Sequence, residues 1–148
     1  MAIKQVSVFL ENRAGRLWEL TDALGKANVN IRALSIGEAT DFGVVRMIVN
    51  DPDAALKMLT DAGFTVVETD VLAVAIPDVP GGLASVVAAL KDVGINIEYA
   101  YAFVAHSGKK WGGAMAMVSL RVEDPAAGQK ALADAGFKLV DAEMLATL

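Results

Sequence analysis

Two short segments place a polar side chain three residues ahead of a glycine. In Phe9–Leu20, FLENRAGRLWEL, Asn12 precedes Gly15; in Ala75–Val86, AIPDVPGGLASV, Asp78 precedes Gly81. Each glycine stands where a strand-like apolar run gives way to a helix-like one. A helix N-terminus leaves four backbone N–H groups without intrahelical partners and carries partial positive charge. Glycine at that point lets a ligand approach the backbone. The chemistry on offer is capture of a carboxylate or another small anion. Asn12, with donor and acceptor groups, or an ionised Asp78, an acceptor, then suits the ammonium end of an amino acid. The plainer reading of the same residues is a capped turn, since Asn and Asp cap helices and Gly serves turns.

Little else in the chain offers chemistry. There are no cysteines, so disulfides, thiol catalysis and thiolate metal sites are excluded. His106 is the sole histidine, too few for a metal site that needs about four ligands. No nucleophile, base and orienting group occur together, so no enzyme and no cofactor are expected. The tip His106–Gly113, HSGKKWGG, gathers His106, Lys109, Lys110 and Trp111. It reads either as a lid or anion contact, or as a solvated hairpin tip anchored by its Trp. Trp18 flanks the apolar stripe of the first helical segment, Arg46 falls on the open sheet face, and the methionines read as core filler.

The elements that position the two junctions repeat. Shifted by 66 residues, Val6–Ile31 falls on Leu72–Ile97 without a gap. Seven of the 26 pairs are identical, among them Gly15/Gly81, Leu17/Leu83, Asn30/Asn96 and Ile31/Ile97, where composition alone gives about two. Further on the offset is 73: Asp51-Pro52 meets Asp124-Pro125 and Asp61–Phe64 meets Asp134–Phe137. The difference, 73 − 66 = 7, is an insertion in the second copy near Ala105–Gly113.

Each copy reads as strand-helix-strand-strand-helix-strand. IKQVSVFL alternates as a strand does. Leu17, Leu20, Leu24 and Ala27 recur at helical spacing, as do Leu83, Val86, Val87, Leu90 and Val93. Asp51 is a candidate N-cap, Pro52 suits the first helical position and Gly63 marks the stop. The order predicts an α+β fold of two tandem ferredoxin-like βαββαβ modules, with both helices of each on one face of an antiparallel sheet. The expected division is 1–69 and 70–148. The last residues, Ala142–Leu148, match Thr69–Ala75, so Lys138–Leu148 is expected to form an extended edge strand.

If Val6, Val8 and Leu10 face the helices, the opposite face carries Ile3, Gln5, Ser7 and Phe9. In the second copy it carries Val71, Ala73, Ala75, Met115 and Met117. That face is apolar and rich in small residues, which predicts a cover, most simply a second copy in a homodimer; the alternative is a sheet back that tolerates water. At 55% hydrophobic residues the chain can bury a core. It has no apolar run of the roughly 18 residues that a membrane span needs. No signal-peptide pattern opens it. A net charge of −5 argues against nucleic-acid and anionic-membrane partners. Together with the lack of cysteine this predicts a cytoplasmic protein.

ENRAGRL…ANVNI and PDVPGGL…VGINI resemble the signature of the ACT domain, a βαββαβ module, and the likeness covers nearly the whole chain as two copies. The resemblance implies binding of an amino acid and regulation of amino-acid metabolism or transcription. It implies modules paired side by side, second strand against second strand, in an eight-stranded sheet with the ligand at the interface. Carried over residue by residue, it points to Asn12, Ala14, Gly15, Arg16 and Leu17 in one loop. In the other it points to Asp78, Pro80, Gly81, Gly82 and Leu83, with Asn30 and Asn96 as partners from across the interface. Ala14 stands where many family members have Pro, and Pro80 keeps it, so the two sites are expected to be unequal, with Asn12 and Gly15 the better one. Ile97, Tyr99, Tyr101 and Phe103 at period two face the small Ile31, Ala33, Ser35, Gly37 series. Tyr99 and Tyr101 then either offer hydroxyls to a ligand or fill core volume. The leading expectation is a stand-alone amino-acid sensor that is not an enzyme. The alternatives are a regulatory subunit docked on a biosynthetic enzyme, similar to the acetolactate synthase small subunit, and an interaction module without ligand.

Overall fold

The computed structural model describes residues 2–38, 40–108 and 113–146. The tip Lys109–Gly112 lies outside them, and with it the lid expected there. Two compact units divide the chain: Lys4–Thr69, and the residues before Lys4 together with those from Asp70 onward.

The first unit contains β1 (Ile3–Glu11), α1 (Arg16–Lys26), β2 (Ile31–Gly37), β3 (Phe42–Val49), α2 (Pro52–Asp61) and the start of β4 (Thr65–Pro77). Its strands lie in the order β2-β3-β1-β4. The second unit continues β4 and adds α3 (Gly82–Asp92), β5 (Ile97–Gly108), β6 (Gly113–Val122), α4 (Pro125–Asp134), β7 (Lys138–Leu139) and α5 (Ala142–Ala146). There β6 and β7 flank β4, and β5 pairs with β6. The β1/β3, β2/β3, β4/β6, β4/β7 and β5/β6 pairings are antiparallel, and the register repeats: Leu10↔Gly43 in β1/β3 becomes Ile76↔Ala116 in β4/β6.

The α+β ferredoxin-like architecture is the one expected, but the described residues form seven strands rather than eight. The last strand of the first copy and the first strand of the second are one strand of 13 residues. Thr65–Ile76 contains no Gly, Pro or Asn to turn the chain, and β-branched residues carry the strand straight through. The expected pairing of β2 with β5 is also absent among the described residues: β2 pairs with β3 and β5 with β6.

Each core forms between strand and helix faces. Val6, Val8 and Leu10 pack with Leu20, Leu24 and Leu59 in the first unit; Leu72, Val74 and Ile76 pack with Val86, Leu90 and Leu132 in the second. The predicted helix stripes are longer than the buried ones. Leu17, Leu83 and Val93, at helix ends, stay exposed, and so does Val87 in the middle of α3. Helices α2 and α4 start as their sequence specifies. Asp51 accepts from the Ala54 N–H and Asp124 from the Ala127 N–H, both at 3.0 Å, with proline following each cap. No helix among the described residues is long and apolar enough to cross a membrane.

Three local features depart from the alternating pattern. First, of the sheet face expected to need a cover, Ile3, Gln5, Ser7, Val71, Ala73, Ala75 and Met117 are buried, Met115 is half-buried and Phe9 is exposed. Gln5 Nε2 donates to Ser7 Oγ at 3.0 Å, so the polar pair there is mutually satisfied. Second, the register shifts between Ile31 and Ala33 and again between Ile97 and Tyr99. The extra residues, Arg32 and Glu98, are related by the repeat offset (32 + 66 = 98), so a β-bulge is duplicated. It leaves Ile97 with the helix-side core while Tyr99, Tyr101 and Phe103 turn to the other face, rather than all four sharing one. Third, the C-terminal segment is not an extended strand. After β7 the Asp141 carboxylate accepts from the Met144 N–H at 2.8 Å and starts α5. The run Ala142–Ala146 favours helix, and that local preference overrides the repeat.

Candidate functional site

Both repeated junctions fold as the same turn. After β1, the Arg13 N–H donates to the Glu11 carbonyl at 2.9 Å, and the Arg16 N–H reaches the Arg13 carbonyl at 3.4 Å. After β4, Val79 donates to Pro77 at 2.9 Å and Gly82 to Val79 at 3.0 Å. Gly15 (φ 91°, ψ −22°) and Gly81 (φ 84°, ψ −7°) are the N-caps of α1 and α3, both left-handed. A Cβ on either would meet nothing within 4 Å. Glycine is needed there for its backbone angle rather than for space. Neither glycine can supply a capping side chain, and neither helix receives one at that position. α2 and α4 are capped by aspartate; at α1 and α3 the first amide turns back to a loop carbonyl, Arg16 to Arg13 and Gly82 to Val79, and no side chain caps the helix.

The two copies then diverge. In the first unit a cavity of about 170 Å³ opens beside the loop. Leu10, Leu17, Ile36 and Val45 wall it, and Gly43 lies among them on β3. Glu11, Asn12 and Arg13 complete its lining from the loop. All of these belong to Lys4–Thr69. The loop is tied to the β2–β3 turn, where the Asn12 N–H donates to the Asp41 carbonyl at 2.8 Å and Asn12 Nδ2 reaches the Thr40 carbonyl at 3.5 Å. Arg13 and Glu11 form an ion pair at 2.6 Å. The hydrogen bond and charge of Arg13 hold the Glu11 carboxyl below its ordinary value, and Glu11 raises the Arg13 guanidinium in return.

In the second unit the corresponding loop closes on itself. A Cβ at Gly82 would lie 2.2 Å from the Pro77 carbonyl oxygen, so only glycine allows this approach. Arg16 occupies the equivalent position in the first loop (16 + 66 = 82). Its guanidinium pairs with Glu19 and lies over the Phe64 ring, 5.3 Å from the centroid. Arg16 therefore braces α1 rather than lining the cavity.

Of the residues expected in the sites, Asn12 and Leu17 meet at the cavity, with exposed Ala14 and Gly15 in the same loop. Asp78, Pro80, Gly81, Gly82 and Leu83 share the second loop. Within their own units, Asn30 and Asn96 lie away from the loop. The registers put Asn30, just before Ile31↔Val49, at the opposite end of the first unit's sheet from Leu10↔Gly43. Asn30 instead receives a partner of its own, its N–H donating to Asn50 Oδ1 at 2.8 Å. Asn96 lines a different hollow, of about 420 Å³, with Val87 and Lys91 at the far end of α3. Tyr99 and Tyr101, opposite Arg121 and Ser119, occupy the sheet face away from α3. Ile36, Gly43 and Val45 were not anticipated. A glycine near the start of the alternating run Phe42–Val49 was the available signal, since glycine in a strand often marks a close approach.

A family model described as an ACT domain pair matches residues 1–147. The chain belongs to the ACT domain pair family. Among solved structures the ACT pair is similar to protein BT0572 from Bacteroides thetaiotaomicron, with 40% identity and a TM-score of 0.89 over 100% of this chain and 98% of that one. It is also similar to the regulatory subunit of aspartate kinase from Thermus thermophilus in its ligand-free form, at 18% identity and TM-score 0.60, covering 89% and 91%. The regulatory subunit from Thermus flavus gives 17% and 0.58, covering 90% and 92%. At those identities the likeness to the kinase subunits is one of fold. No curated protein matches the sequence. ACT domain pairs are regulatory rather than catalytic modules.

Proposed function

We propose that this ACT pair senses an amino acid and regulates a separate enzyme. The supporting observation is the cavity beside Asn12, next to a helix start that no N-cap side chain closes. The ligand carboxylate meets the N-terminus of α1, which no side chain caps, the loop polar groups receive its ammonium end, and its side chain enters the cavity. Binding regulates by favouring one of two states of the protein over the other. Two similar structures are regulatory subunits of aspartate kinase, which supports a reading in which the controlled active site sits on another chain. The first loop is the working site in this reading, and the second, closed on Gly82, is weaker.

The same reading has two copies pair along β2. That strand is hydrogen-bonded only to β3 among the described residues, and Leu34 and Ile36 on it are exposed. An open apolar edge of this kind is a template for a further strand.

A thermal-shift screen with single amino acids tests the proposal. A ligand at 100 times its Kd adds about 2.7 kcal/mol, which for a chain of this size raises Tm by roughly 5–10 °C. No shift with any amino acid overturns sensing and favours an interaction module.

A further inference from the structure

We infer that the cavity beside Asn12 selects an amino acid with a short, uncharged aliphatic side chain. This rests on the amino-acid reading above and narrows its ligand.

Size sets the first limit. At roughly 30 Å³ per water in the liquid, a cavity of about 170 Å³ has room for five or six waters. It falls below the roughly 300 Å³ at which drug-sized sites begin. A branched side chain of three or four carbons fits within it.

The walls set the second. Leu10 and Val45 are buried behind the cavity, while Leu17 at 39% and Ile36 at 51% exposure stand at its mouth. These four aliphatic surfaces gain by being covered with hydrocarbon and offer nothing to a polar group.

Charge sets the third. The ionic groups in the lining are Glu11 and Arg13, and they are joined to each other at 2.6 Å. A lysine or aspartate side chain entering here either breaks that pair or stays unpaired in apolar surroundings, and both are costly.

Gly43 supplies the means of testing the volume. A Cβ there would lie 3.4 Å from the Gly37 carbonyl oxygen and 3.7 Å from Ile36 Cγ2, which is ordinary contact. Alanine therefore fits the strand and takes its space from beside Ile36. The second copy already has alanine at the equivalent place, Ala116 (43 + 73 = 116), paired with Ile76 as Gly43 is with Leu10.

The experiment is calorimetric titration of the whole chain with glycine, alanine, valine, leucine, lysine, aspartate and phenylalanine. Affinity should rise about four-fold per buried methylene from glycine to leucine, with lysine and aspartate silent at the same concentrations. Gly43→Ala should weaken leucine at least about four-fold more than it weakens alanine. Leu17→Ala, at an exposed position that folding does not depend on, should also weaken leucine and keeps the test open if Gly43→Ala folds poorly. Tightest binding by lysine, aspartate or phenylalanine, or equal losses for all ligands in both variants, would overturn the aliphatic class while leaving an amino-acid sensor standing. Silence from all seven would overturn the aliphatic class, and silence from every amino acid in the thermal-shift screen would overturn sensing as well.

Discussion

Gly15 and Gly82 sit one residue apart in the repeat, and the reasons they are glycine differ in a measurable way. At Gly15 a Cβ has open space, and φ is 91°. Gly15→Ala therefore costs only the left-handed backbone, about 1–2 kcal/mol, less a few tenths for the stiffer unfolded chain. Asparagine tolerates that region better than other side chains, so Gly15→Asn should recover most of the loss. At Gly82 no positive φ is involved; the obstacle is the Pro77 carbonyl oxygen, 2.2 Å from where a Cβ would sit. Backbone cannot step aside as a side-chain end can. Gly82→Ala should thus cost more than Gly15→Ala, at the upper end of the roughly 1–3 kcal/mol of overpacking, and Gly82→Asn should rescue nothing. Urea unfolding of the four variants reads these values, with a Tm drop of roughly 2–4 °C per kcal/mol as a check. Equal losses for Gly15→Ala and Gly15→Asn, or a harmless Gly82→Ala, would refute the distinction between angle and space.

Two more predictions bear on the loop and the edge strand. Arg13 depresses the Glu11 carboxyl below 4.5 in the folded state. A depressed acid stabilises above its unfolded value and loses that contribution as pH falls through the folded one. The stability gap between wild type and Glu11→Gln should therefore narrow from pH 6 to pH 3 in urea titrations; a gap independent of pH contradicts the pairing. Leu34→Lys, at a site 38% exposed, should barely change Tm yet move the protein to a smaller species in sedimentation. Identical sedimentation of the two proteins would count against pairing along β2.

The repeat made the topology legible because hydrophobic period and punctuation agree in both copies. Asp51-Pro52 and Gly63 announce α2 by chemistry that acts within a few residues, and the fold obeys it. What the sequence hid depends on longer range or on a single inserted residue. Nothing in Arg32 or Glu98 advertises a bulge, yet each reverses the faces of the residues that follow. One consequence is that the aromatic series of β5 does not begin at Ile97. Thr65–Pro77 runs as one strand across the module boundary, because a boundary between repeats needs no turn. The cavity was half legible: Asn12 and Leu17 lie in the loop that the repeat picks out. Ile36, Gly43 and Val45 join it only through cross-strand register, which the sequence does not state.

Duplication explains why the two loops can differ without harming the fold. What both copies share is what the turn requires: a left-handed glycine, the backbone hydrogen bonds across the loop, and apolar partners at Leu10/Ile76 and Val45/Val118. What differs sits around the space that the turn encloses. The first copy has Gly43, Ile36 and a charged pair at Glu11 and Arg13; the second has Ala116, Ala102, Pro77 and Val79 at the same offsets. Trading Arg16 for Gly82 lets the second loop fold back onto Pro77, and trading Ala116 for Gly43 frees volume in the first. Each exchange moves the first loop toward holding a ligand and the second toward holding its own shape. Gly43→Ala in the first copy and Ala116→Gly in the second should therefore act on different properties, one reducing ligand affinity and the other leaving it unchanged while lowering stability.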